Sequence, residues 1–185
     1  MRILGIDPGY AIVGYGVVDY IGNKFTTKTY GAVTTEAKTE FTSRIGKIYA
    51  EIIEIIKINN IDAMAIEKLY FNTNTTTAID VAQARGVILL AAHNSNIPVY
   101  EYTPLQVKQA VTGYGRAEKK QIMEMTRIIL GLQKVPKPDD TADALALAVC
   151  HAHTCGSQLG SIIKGGKLWF THLEAKFCWL IQLDL

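Results

Sequence analysis

The hydrophobic repeat of this chain changes period in an order that few folds accommodate. Met1 to Asp7 is a short apolar run that ends at Pro8-Gly9. Ala11 to Tyr20 carries Ile12, Val13, Tyr15, Val17 and Val18 with Gly14 and Gly16 interspersed, and Phe25 to Val33 alternates Thr with aromatic residues. These are strand signals, and Ile21-Gly22-Asn23-Lys24 between the last two is a hairpin turn. Three strands joined by tight connections make an antiparallel meander. From Glu40 to Asn59 the period becomes helical, with Phe41, Ile45, Ile48, Tyr49, Ile52, Ile55 and Ile56 on one face. Ile61 to Glu67 returns to a buried strand, and a strand that follows a helix lies parallel to a neighbour. The polar stretch Asn72 to Thr77 opens a long helix through Ala92, and Pro98 to Tyr102 is a fifth short strand. Thr103-Pro104 reads as N-cap and first helical residue of a helix stopped by Gly113. Gly113-Tyr114-Gly115 is expected to be a mobile link. Helices follow from Ala117 to Leu130 and from Asp139 to His153. The order βββαβαβααα predicts an α/β domain, a mixed five-stranded sheet flanked by helices.

Length and composition bound the function. The chain has 185 residues, 49% hydrophobic and 19% charged, enough for a core and too apolar for a disordered protein. No uninterrupted apolar run reaches the ~18 residues of a spanning helix. Asp7 and Pro8 interrupt the N-terminus before a signal-peptide core can develop. Three cysteines, Cys150, Cys155 and Cys178, do not make a disulfide scaffold, so a reducing cytoplasm is expected. The net charge of +2 is unevenly spread. Tyr102 to Lys137 holds Lys108, Arg116, Lys119, Lys120, Arg127, Lys134 and Lys137 against Glu118 and Glu124, which suits a polyanion and equally a solvated helix face.

Four acids stand where acids are costly. Asp7 closes the first apolar strand, and Glu67 closes Ala63-Met64-Ala65-Ile66. Asp140 and Asp143 open a helix otherwise built of Ala, Leu and Val, three residues apart and on one face with Ala144 and Leu147. Asp139 is left as the helix cap. Taken singly, each acid has an ordinary reading: a turn at Asp7, a strand end at Glu67, a cap at Asp139 or Asp140. Together, buried carboxylates repel one another unless positive charge sits between them. Hard oxygen ligands suit Mg²⁺ or Mn²⁺, and a pair of such ions activates water for phosphodiester hydrolysis. This requires strands one and four to be neighbours with the last helix across their ends.

The motifs Gly5-Ile6-Asp7-Pro8-Gly9, Gly14-Tyr15-Gly16-Val17, Ala65-Ile66-Glu67 and Gln83-Ala84-Arg85-Gly86 resemble the RuvC family of bacterial Holliday-junction resolvases. So do Val99 to Pro104, Gln106-Val107-Lys108, Ala117-Glu118-Lys119 and Asp140 to Ala146, in order along residues 1 to about 153. The resemblance implies a ribonuclease-H-like fold and a homodimeric, structure-selective endonuclease. Such an enzyme resolves four-way DNA junctions by paired symmetric nicks with Mg²⁺ or Mn²⁺, two ions per site, in recombination and repair. It places Asp7, Glu67, Asp140 and Asp143 at the family's catalytic, metal-binding positions, the third of which is histidine in some members. Lys108 and Lys119 match basic residues at the active site and DNA, with Arg116 and Lys120 adding charge beside them. Tyr70, with Phe71 sharing its place, falls where the family stacks an aromatic on a base. A branch-migration motor is implied as a partner. Small residues Ala78, Ala82, Gly86 and Ala91 on the second long helix suit a dimer interface or ordinary core packing.

Residues 1–155 form the expected resolvase domain, and 156–185, with both tryptophans, depart from the family pattern as an extension of unknown role. Cys150-His151-Ala152-His153-Thr154-Cys155 is too cramped for structural zinc and reads as a helix end. Two other classes compete. An actin-like or sugar-kinase ATPase would explain the opening Gly-Ile-Asp-x-Gly strand but not Asp143 or the basic stretch. A catalytically silent DNA-binding member of the same fold would not need four acids.

Overall fold

A computed structural model describes residues 1–69 and 75–156, with only the backbone of 75–77. The elements are β1 (Arg2–Asp7), β2 (Ile12–Ile21), β3 (Lys24–Thr34), α1 (Phe41–Asn59), β4 (Ala63–Glu67), α2 (Thr75–Asn94), β5 (Val99–Tyr102), α3 (Pro104–Thr112), α4 (Lys119–Ile129) and α5 (Asp139–Gly156). Their order is the one the periodicity predicts. The five strands form one sheet in the order β3-β2-β1-β4-β5. β2 lies antiparallel to β1 and β3, whereas β1, β4 and β5 run parallel. Gly22 and Asn23, with φ of 54° and 64°, make the β2–β3 hairpin, because that turn needs two left-handed residues.

Strand alternation sends the two sheet faces to different helices. Leu4, Ile6, Val13, Val17, Met64 and Ile66 face α1 and α2, where Ile48, Ile52, Ile56, Ala84 and Ile88 complete one core. Ile3, Val18, Ala65 and Tyr102 face the other way, into a second core with Leu145, Ala146, Ala148 and Val149 of α5. Each fully buried Ile or Leu contributes about 1.5–3 kcal/mol, so both faces are strongly specified. A one-residue slip of β1 would exchange them.

α5 lies unusually close to the sheet. A Cβ on Gly5 would overlap the carbonyl oxygen of Ala144, one on Gly14 the carbonyl oxygen of Asp140, and one on Gly16 the side chain of Leu145. Gly5 pairs with Gly16 across β1 and β2, and Asp7 pairs with Gly14. The three glycines therefore form a groove without side chains, and the small residues of α5 fill it.

Local details depart from the sequence expectations at four places. α4 begins at Lys119 rather than Ala117, because Glu118 is its N-cap in a reciprocal capping box with Gln121. Arg44 lies on the buried stripe of α1, with its guanidinium carbon 3.5 Å from the Tyr10 ring centroid and its Nε bonded to Thr35. The Gly113–Gly115 link is tied down. The backbone N–H of Tyr114 donates to Thr112 Oγ1, and its carbonyl accepts from Ala117 N–H. Asp139 is the first residue of α5 rather than its cap, and its carboxylate pairs with Lys137 at 2.6 Å.

Beneath β5, Tyr102 Oη and Nδ1 of the fully buried His151 share a hydrogen bond of 2.7 Å. Burial pushes the His151 imidazole down to about 4, so it is neutral at physiological pH. Nδ1 of His153 lies 2.9 Å from the carbonyl of Ala110 instead. Tyr102→Phe leaves His151 Nδ1 with only the Cys155 sulfur at 3.6 Å and is expected to cost about 1–3 kcal/mol in urea unfolding.

Candidate active site

Asp7 and Glu67 arrive side by side because β1 and β4 are parallel and in register. Ile6 pairs with Ile66, and the two acids are the next residues of each strand. Both follow the parity of Gly5 and Ala65, so both face α5. The carboxyl ends of parallel strands are where the open sheets of α/β proteins build sites. α5 brings the other two acids to this edge: its first turn crosses β2 at Gly14, so the backbone of Asp140 touches the strand residue paired with Asp7.

Burial raises the carboxyl pKa of Asp7 to about 8, with further contributions from the charges of Glu67, Asp143 and Asp140. Burial also raises Glu67, reinforced by Asp143. The Asp7 carboxyl beside it acts the other way and partly offsets the rise at Glu67. With Asp7 protonated at neutral pH, part of the repulsion among these close like charges is relieved.

Lys119, the first residue of α4, supplies the nearest positive charge. Its Nζ lies 2.9 Å from Asp143 Oδ2 and 3.8 Å from Asp139 Oδ2. The Asp143 carboxylate holds the Lys119 ammonium above its ordinary pKa, and the lysine in turn opposes the upward shifts of Asp7 and Glu67. Among the described residues, no three His, Cys, Asp or Glu side chains converge as a group able to hold a metal ion as they stand. The four acids therefore stand as a buried Asp7 on which the charges of Glu67, Asp143 and Asp140 act, with Asp143 held by a lysine.

Lys108 reaches the same place from α3. A cavity of about 200 Å³ is lined by Glu67, Asp143, Lys108 and Lys119, with Ile122 and Leu147 among its apolar walls. Lys119 also lines an adjoining groove of about 990 Å³, together with Asp139, Lys120, Lys137 and Tyr114. Arg116 and Lys120 are exposed and form no ion pair among the described residues. The expected base-stacking pair, Tyr70 and Phe71, lies outside the described residues, as does the segment 157–185. The expected dimer helix divides: Ala91 belongs to the core, whereas Ile79, Gln83, Gly86 and Leu90 face outward at helical spacing.

Two contributors were missed in the sequence. The glycine groove that admits α5 was visible as Gly5, Gly14 and Gly16 but needed the strand register to be read. Arg85 of α2 braces the end of β4: its Nε donates to the carbonyl of Glu67, and its guanidinium pairs with Glu101 of β5. Its sequence signals, a basic residue within an apolar helical stripe and a place in Gln83-Ala84-Arg85-Gly86, do not by themselves point to the end of β4.

The family of the crossover junction endodeoxyribonuclease RuvC matches residues 3–151. The crossover junction endodeoxyribonuclease RuvC of Alkaliphilus metalliredigens is 60% identical over 154 residues, 83% of this chain and 94% of its own length. The structure of Thermus thermophilus RuvC superposes with a TM-score of 0.80 at 38% identity, covering 84% of this chain and 96% of that one. The same protein in complex with a Holliday junction substrate gives 0.77 at 36% identity, covering 84% and 95%. The five-stranded mixed sheet with its helices is therefore the ribonuclease-H-like fold of junction resolvases. With carboxylates at the ends of β1, β4 and the start of α5 and the family's match spanning both cores, the chain belongs to the RuvC family of crossover junction endodeoxyribonucleases.

Proposed function

We propose that this protein resolves four-way DNA junctions by hydrolysing one phosphodiester in each of two symmetric strands, in recombination and repair. The observation that carries the reading is the meeting of Asp7 and Glu67 with Asp140 and Asp143 beside two lysines. A basic cavity wall next to buried carboxylates suits a phosphodiester, since it recognises the anion and places it against groups that handle water.

The donor set fits Mg²⁺ or Mn²⁺: it consists of hard carboxylate oxygens whose repulsion protonation of Asp7 and one lysine only partly offset. Asp7, Glu67, Asp140 and Asp143 would hold the metal, as two ions in each site. Bound there, divalent cations supply positive charge to the scissile phosphate and lower the pKa of a water. The protein's own groups do the rest. Lys108 and Lys119 hold phosphate oxygens, Arg116 and Lys120 contact flanking backbone, and Tyr70 with Phe71 stacks on a base near the junction centre. Arg85 keeps Glu67 from swinging away with the chain that follows it.

Two copies of the site are needed for paired nicks, and a two-fold dimer supplies them. The outward strip Ile79, Gly86 and Leu90 on α2 supports a homodimer through that helix, since nothing lies within 4 Å of a Cβ built on Gly86. The catalytic unit comprises residues 1–155, with 156–185 an extension to which no role is assigned. Among the described residues no helix is long and apolar enough to cross a membrane. Action in the cytoplasm beside a branch-migration motor completes the reading.

The test incubates the protein with a labelled synthetic four-way junction or a linear duplex, with and without Mg²⁺. Expected are symmetric nicks in the junction alone, dependent on metal, and lost by about a thousandfold in Glu67→Gln while junction binding persists. Metal-independent cleavage, or equal cleavage of the duplex, would overturn the reading.

A further inference from the structure

We propose that Lys119 is the carboxylate site's built-in counter-cation, which a divalent metal ion must displace. Its ammonium then becomes available to a DNA phosphate only once metal is bound. This rests on the reading that the four acids hold such an ion, and it goes beyond that reading by coupling the ion to a particular side chain.

The geometry points to a contest for Asp143. The Lys119 ammonium lies 2.9 Å from Asp143 Oδ2, so that oxygen is committed to a cation the chain itself provides. Lys119 also acts on Asp7 and Glu67, so its charge opposes the repulsion of three acids at once. A metal would supply the same stabilisation with twice the charge. Both cations favour the same oxygens and repel each other, so occupancy by one disfavours the other. Asp143 engaged by lysine also accounts for the lack of three convergent ligands among the described residues.

An outward path exists. Lys119 lines both the 200 Å³ cavity with Glu67 and Asp143 and the larger groove with Asp139, Lys120 and Lys137. Its backbone is fixed by the capping box of Glu118 and Gln121, so the motion is a side-chain swing about a rigid helix start. The carboxylate on the outer side, Asp139, is 3.8 Å away and already engaged by Lys137 at 2.6 Å. An expelled Lys119 therefore meets a carboxylate shared with another ammonium, which leaves it ready for a phosphate. Displacement of this kind makes metal and phosphate binding mutually reinforcing, since each favours the same position of the lysine.

The test measures metal binding without DNA or turnover. Mn²⁺ is titrated into the full chain, and free Mn²⁺ is read by electron paramagnetic resonance for the wild type, Lys119→Met and Lys120→Met. Lys120 controls for general field effects, because it forms no ion pair among the described residues. Lys119→Met is expected to bind roughly tenfold more tightly than the wild type, and Lys120→Met less than about twofold. A second readout needs no variant to fold. In ¹⁵N-lysine-labelled wild type, Mg²⁺ is expected to shift the signal of the Asp143-paired Lys119 ammonium to that of a free lysine. Mn²⁺ binding of equal or lower affinity in Lys119→Met, or a Lys119 signal unmoved at saturating Mg²⁺, overturns the displacement alone. Failure of Mn²⁺ to bind the wild type and Lys119→Met overturns both it and the metal reading.

Discussion

Replacing Asp7 by asparagine is expected to cut strand scission by about a thousandfold and, in the same protein, to raise the stability of the metal-free fold. The loss follows from removing a carboxylate from the reacting centre. The gain follows from the proton. The unfolded Asp7 carboxyl releases its proton near the ordinary value of 3.8, whereas the folded one keeps it to about 8. Between those pH values the folded state holds more protons than the unfolded one, so stability falls as pH rises. The full contribution is present below the unfolded value, and it is lost progressively as pH rises to about 8. Coupling to Glu67 and relaxation around the site reduce the ideal effect, which leaves about 2–4 kcal/mol at pH 8. Urea unfolding in EDTA at pH 5 and pH 8 checks this. The advantage of Asp7→Asn over wild type should grow between the two pH values and shrink when Mg²⁺ is added. A wild type more stable than the variant at pH 8 in EDTA would contradict the burial of a charged Asp7.

The second large effect belongs to a residue with no chemistry of its own. Gly5→Ala adds one methyl group, directed at the Ala144 carbonyl and the Ala148 backbone nitrogen. Both are backbone atoms inside a hydrogen-bonded helix, so no side-chain rotation relieves the overlap. α5 must move away from the sheet as a body, which loosens Leu145, Ala148 and Val149 from their core and carries Asp140 and Asp143 away from Asp7. The expected cost is about 3–5 kcal/mol, a fall in Tm of about 10 °C, with cleavage lost along with it. Gly46→Ala in α1 is the comparison. It is exposed with nothing within 4 Å of the new Cβ, and it should stabilise by about 0.5–1 kcal/mol. Calorimetry of the two variants separates steric overlap from a generic glycine effect.

These two predictions show where the sequence was informative. Element order was legible because each element carries its own signature: the apolar run of β1, the alternation of β3, the i, i+4 stripe of Ile48, Ile52 and Ile56 in α1, the Thr103-Pro104 start of α3. The four acids stood out because each closes an apolar strand or opens an apolar helix, a local property. Capping was legible only in part. The start of α3 was read from Thr103, but Glu118 was not recognised as a cap because glutamate fills that role less often than Ser, Thr, Asp or Asn. Arg44 was missed for a related reason: its burial depends on the Tyr10 ring and Thr35, which lie on other elements.

What the amino-acid order determined by itself was the set of elements, the two-faced strands, and the choice of carboxylate at three element ends. Hydrophobic period and residue cost are local and need no partner to be read. Only the tertiary structure decided that Asp7 is buried beside Glu67, that Lys119 holds Asp143, and that three glycines admit α5. Each of those facts is a distance between segments far apart in the chain. Such distances are set by sheet register and helix approach, and Coulomb and steric energies depend on them steeply.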